Sequence, residues 1–103
     1  MGILGDWDVA IKTPIGTLHV VYNFTELDQV IVGSAAGQGE TVSLSDIVVT
    51  PAAGGLRATW RQTVTKPMRL KLDFDVLVSD DELKGHSRAG RLPRTAVTGR
   101  RRT

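Results

Sequence analysis

The chain contains no cysteine, which excludes disulfides, thiol nucleophiles and thiolate metal sites and suits a reducing compartment. Histidine is nearly as scarce. His19 and His86 are the only two and have no partners at metal-ligand spacing, so no metal and no cofactor is expected. No apolar run approaches the roughly 20 residues of a membrane-spanning helix, and the opening "MGILGDWDV" has neither a basic nor an apolar leader segment. These absences lead us to expect a soluble, cytoplasmic protein without a membrane partner. Charge of one sign is also missing, because 13 Lys and Arg against 11 Asp and Glu leave a net charge of only +2. Six arginines lie between Arg88 and Arg102, but no aromatic stacking platforms accompany them, so no nucleic-acid partner is expected. HExxH, P-loop and Ser/His/Asp arrangements are absent as well.

What remains is a strand-forming pattern on a chain of 103 residues, the size of one compact domain. The clearest stretch is "PMRLKLDFDVLV". Met68, Leu70, Leu72, Phe74, Val76 and Val78 share one parity, and Arg69, Lys71, Asp73 and Asp75 occupy the other. Alternation of this kind marks a strand with one face in a core and one in water. The same reading, with breaks at Gly, Pro, Asp and Ser, places eight strands at about 6–13, 16–25, 29–36, 40–50, 55–65, 67–79, 82–89 and 94–102.

The chain also repeats itself. "DWDVAIKTP" aligns with "TWRQTVTKP" at a spacing of 53, pairing Trp7 with Trp60, and a shift to 52 then pairs Tyr22 with Phe74 and Gly33 with Gly85. Such a repeat predicts two pseudo-symmetric four-stranded halves, about 5–50 and 55–102, and a basic tail at 100–103. Each half has an apolar face it cannot bury alone. The expected fold is therefore all-β, a single-domain, eight-stranded antiparallel up-and-down barrel, which removes exposed sheet edges.

All five aromatics, Trp7, Tyr22, Phe24, Trp60 and Phe74, fall on the inward phase of their strands. The strands holding Gly33 and Gly85 place small residues inside: Ile31, Gly33 and Ala35 on one, Leu83, Gly85, Ser87 and Ala89 on the other. An eight-stranded barrel is just wide enough to be filled by its own side chains or to hold one small ligand.

Gly5-Asp6-Trp7 at the start of the first strand, with Arg100, Arg101 and Arg102 ending the last, resembles the calycins, the superfamily of lipocalins and avidins. The resemblance implies a tryptophan packed across one end of the barrel and covered by an arginine from near the C-terminal end. Here these would be Trp7 and, by parity, Arg101. The "GDWDVAIKTPIG" and "LKGHSRAGRLPRTAVTGRR" segments also resemble a family of small bacterial barrel domains that occur alone or appended to hydrolases.

The expected function is binding of a small hydrophobic metabolite inside the barrel. Candidate ligand contacts are Trp7, Tyr22, Phe24, Trp60, Gln62, Met68, Leu72, Phe74 and Ser87. Tyr22, Gln62 and Ser87 are polar groups on inward phases, and buried polar atoms require partners. Gln62 stands out because its repeat mate is Val9. Trp7 and Trp60, on facing strands, form either a ligand clamp or a space-filling plug. The alternative function is a cyclase or isomerase of secondary metabolism, for example in polyketide cyclisation, that shapes an apolar substrate mainly by positioning. Tyr22 and Asp46 are its candidate catalytic groups. Asp46 shares the inward phase of Val42 and Leu44, but a bulge would turn it to solvent. Whether the protein is an enzyme stays open on these residues. Val21, Ile47, Val49 and Leu77 are apolar on outward phases and suggest a homodimer patch.

Overall fold

The computed structural model describes residues 2–13, 16–65 and 69–102. It is an all-β, nearly closed antiparallel barrel, with no helix among the described residues. The strands are β1 (Gly5–Thr13), β2 (Gly16–Leu27), β3 (Val30–Gly37), β4 (Glu40–Ser43), β5 (Ser45–Ala52), β6 (Gly55–Val64), β7 (Leu70–Ser79), β8 (Glu82–Arg88) and β9 (Thr95–Arg101). Their order around the barrel is β4-β3-β2-β1-β9-β8-β7-β6-β5, so the first and last strands pair with each other.

Nine strands replace the expected eight because the run 40–50 divides at Leu44. Up to that point the chain pairs with β3, and the Leu44 N–H still donates to the Gly33 carbonyl at 2.9 Å. From Ser45 onward it pairs with β6, through a register shift between Ser45 and Val48. One bent run thus serves both edges of the sheet and brings them together. Farther along the seam, the Thr65 N–H donates to Glu40 Oε1 at 2.8 Å, linking β4 to the residue after β6.

The bulge has a second consequence. Asp46 takes a left-handed backbone conformation, φ 53°, and inserts the extra residue that reverses the alternation. Its side chain is 71% exposed and lies 3.9 Å from Arg61, so the inward, catalytic position considered for it is not the one it occupies, and the bulge weighed against that position is the one found. The same reversal turns Ile47 and Val49 inward against the core, contrary to their expected outward phase. Leu77 is exposed as expected, and Val21 is half-buried.

Elsewhere parity holds. On β7, Phe74, Val76 and Val78 are buried, Leu70 and Leu72 half-buried, and Lys71, Asp73 and Leu77 exposed. The exposed face carries cross-strand ion pairs such as Arg61–Asp73 at 3.0 Å and Arg100–Glu82 at 3.5 Å. Pairs this exposed add little stability and keep the outer surface hydrated. The β2–β3 hairpin turns through Asp28 and Gln29, both at positive φ (51° and 67°), which suits the right-handed twist of the flanking strands. On the inner face, β8 presses so closely on β7 that a Cβ on Gly85 would meet the Asp75 carbonyl oxygen at 2.1 Å. Only glycine fits there.

Candidate functional site

The interior divides into two parts. At the end where the chain begins and finishes, Trp7 lies across the barrel with no exposed surface. Its indole N–H donates to the Ile3 carbonyl at 2.8 Å, and the Arg101 guanidinium lies over the ring, 4.4 Å from its centroid. That guanidinium also donates to the carbonyls of Leu4 at 2.5 Å and Gly2 at 2.8 Å, and pairs with Asp81 at 2.9 Å. The arginine that the resemblance implied over Trp7, and that parity narrowed to Arg101, lies there.

Above Trp7 the other four rings fill the middle of the barrel. Trp60 stacks on Phe74 with centroids 5.0 Å apart and meets Phe24 edge-on at 5.4 Å. Tyr22 packs against Trp60 at 5.5 Å and Phe74 at 6.0 Å. Trp60 therefore stacks on a phenyl ring in place of the facing-indole clamp considered from the sequence.

Beyond these rings lies a cavity of about 470 Å³. Its walls are mostly aliphatic, including Ile11, Leu18, Val20, Val42, Val64, Leu70 and Leu72, while Lys12, Glu40 and Arg94 also line it. Gln62 and Ser87, both almost wholly buried, contribute polar groups to the lining. Ser87 Oγ and Thr95 Oγ1 lie 2.7 Å apart, sharing one hydrogen bond whose donor either hydroxyl can be.

Of the candidate ligand contacts, Gln62, Leu72 and Ser87 line this cavity, and Trp7, Tyr22, Phe24, Trp60 and Phe74 form the packed mass beneath it. Met68 lies outside the described residues. Thr95 was missed as a site residue, although it shares the inward phase of Val97 on β9 and parity alone would have found it.

The polar groups at the boundary are joined. The Tyr22 hydroxyl donates to Gln62 Oε1 at 2.7 Å, and the Trp60 indole N–H donates to the same oxygen at 3.1 Å. Burial pushes the Tyr22 phenol well above its ordinary range, outweighing the lowering effect of its bonds with Gln62 and Trp60. The phenol stays neutral at physiological pH and acts as a donor. Neither candidate catalytic group meets the cavity directly: Tyr22 is fully buried below Gln62, and Asp46 faces water. Among the described residues no cluster of His, Asp or Glu is arranged to hold a metal ion.

No protein-family profile matches the chain, and neither a curated protein nor a solved structure shows significant similarity to it.

Proposed function

We propose that the protein is a calycin-like barrel that binds a small hydrophobic molecule in the cavity at its hollow end. The observation that carries this reading is the cavity itself, about 470 Å³ with largely aliphatic walls, which lies within the range of about 300–1,000 Å³ typical of small-molecule sites. Each ~100 Å² of apolar ligand surface removed from water contributes about 2.5 kcal/mol before the costs of association. The repeat-related halves belong to the same reading, with β1 and β6 each bringing a tryptophan to the interior. Cyclisation of an apolar substrate would use the same cavity and would rest on positioning, because Tyr22 keeps its proton and Asp46 points away.

The test is titration with N-phenyl-naphthylamine, a neutral probe whose emission rises when it leaves water. Wild type is expected to bind it with saturable enhancement, and Leu72→Trp, which fills the cavity from one wall, is expected to abolish the signal while remaining folded. Wild type without enhancement, or equal enhancement in a folded Leu72→Trp variant, removes the cavity as the binding site.

A further inference from the structure

Gln62 stands where the packed rings end and the cavity begins. Its oxygen is fully occupied by two donors, Tyr22 O–H and Trp60 N–H. An indole nitrogen can only donate, so the amide cannot turn over without setting N–H against N–H. Trp60 therefore fixes which end of the carboxamide points down into the rings. The –NH₂ group has to point the other way.

None of the described residues accepts a hydrogen bond from Gln62 Nε2, yet no fully enclosed polar side-chain atom among them lacks a partner. The nitrogen must then touch open space, and the open space that Gln62 lines is the cavity. Two donors converging on Oε1 also polarise the amide and strengthen its N–H groups as donors. The floor thus offers a fixed, oriented and unpaired hydrogen-bond donor within a chamber whose walls are mostly aliphatic.

We propose that Gln62 is the recognition group of the cavity: its Nε2 donates to a neutral carbonyl oxygen, of a ketone, aldehyde, ester or amide, at the buried end of an otherwise apolar ligand. The proposal rests on the reading of the cavity as a binding site. Neutrality follows from the surroundings. Uncharged Ser87 and Thr95 line the cavity with Gln62, and uncharged Tyr22 and Trp60 bond its oxygen, whereas the lining cations Lys12 and Arg94 are exposed and the half-buried Glu40 is itself an anion. A carboxylate brought to Gln62 would lose its hydration and gain no counter-charge. A carbonyl loses far less and gains the waiting donor.

The experiment compares three probes of equal chain length, undecane, methyl nonyl ketone and undecanoic acid, by displacement of N-phenyl-naphthylamine from wild type and from Gln62→Met. The ketone-over-alkane preference is expected to fall about tenfold in the variant, the size of one hydrogen bond worth about 1.4 kcal/mol. In wild type the bound ketone's carbonyl stretch should lie below its value in hydrocarbon solvent, and in Gln62→Met it should return to that value. If Gln62→Met does not fold, the wild-type infrared shift alone decides. An unshifted carbonyl, an unchanged preference, or the acid as the tightest ligand overturns the assignment of Gln62 while leaving the cavity as a binding site. If none of the probes nor the dye binds wild type, the cavity reading itself falls and this inference with it.

Discussion

The two ends of the barrel are built from the same strands with the same alternation, yet one is solid and the other hollow. Toward the N-terminal end, Trp7, Tyr22, Phe24 and Phe74 are at most 2% exposed. Toward the other, the same strands carry Ile11, Leu18, Val20 and Leu72, the last three only half-buried around a cavity of about 470 Å³. Barrel width is set by strand number and stagger. Side-chain volume then decides whether a given level is filled, and a ring of aliphatic residues does not reach the axis that indole and phenyl rings close. The chain gathers all its aromatic volume at one end and in the middle, and the space at the other end follows from that uneven allotment.

The contrast can be broken most severely at Trp7. Trp7→Ala leaves a large void under four packed rings and is expected to cost about 3–5 kcal/mol, whereas Leu72→Ala, which only enlarges an existing space, should cost about 1 kcal/mol. Urea denaturation of the two variants measures the difference, and similar losses would mean that both ends are packed alike.

Next in size is Arg101→Met, which keeps an apolar stem over Trp7 but removes the guanidinium that ties down the carbonyls of Gly2 and Leu4. A loss of about 2 kcal/mol is expected, with faster amide hydrogen exchange confined to the first residues and the start of β1. Unchanged exchange there would show that stacking alone seals this end.

The smallest effect, and the sharpest, lies at the boundary. Tyr22→Phe leaves Gln62 Oε1 with one donor in place of two and should cost about 1 kcal/mol at neutral pH. Its pH dependence carries a definite sign. The native phenol holds its proton above the pH at which an unfolded tyrosine releases it, about 10, so the native state binds more protons across that interval and wild-type stability falls as pH rises through it. The advantage of wild type over Tyr22→Phe is full below about pH 10 and shrinks above it. Because the chain has a single tyrosine, its ultraviolet titration reports this group alone. An ordinary titration curve in the folded protein would place Tyr22 in contact with water.

Most of the inward face was legible in the sequence because period-two alternation is a local property. It placed the five rings inside and, among the terminal arginines that the calycin resemblance brought to Trp7, singled out Arg101. Asp46 shows where locality ends. A bulge turning it to solvent was read from the sequence, but its cause, one run of chain passing from β3 to β6, was not, since nothing in "TVSLSDIVV" announces a partner 16 residues away on β6. Once the bulge is in place, Ile47 and Val49 change sides together. The site was half legible for a similar reason. Gln62 stood out as an amide in an apolar series, and Trp60, two positions before it, shares its face. That Tyr22, 40 residues earlier in the chain, reaches the same oxygen depends on how the barrel curves. A chamber inside the barrel was one of two outcomes expected, but its place and size were not legible, since alternation tells which side a residue faces and not how much room is left between opposing sides.

The clasp made by Arg101 also determines how the molecule can be handled. Because Gly2, Leu4, Asp81 and the end of β9 are drawn together beneath Trp7, any polypeptide or label joined near either terminus departs from the sealed floor, far from the chamber. The two ends could equally be spliced by a short bridge and new ones cut at the Asp28–Gln29 hairpin, on the same side of the barrel, giving a permuted chain whose chamber keeps its walls and its entrance.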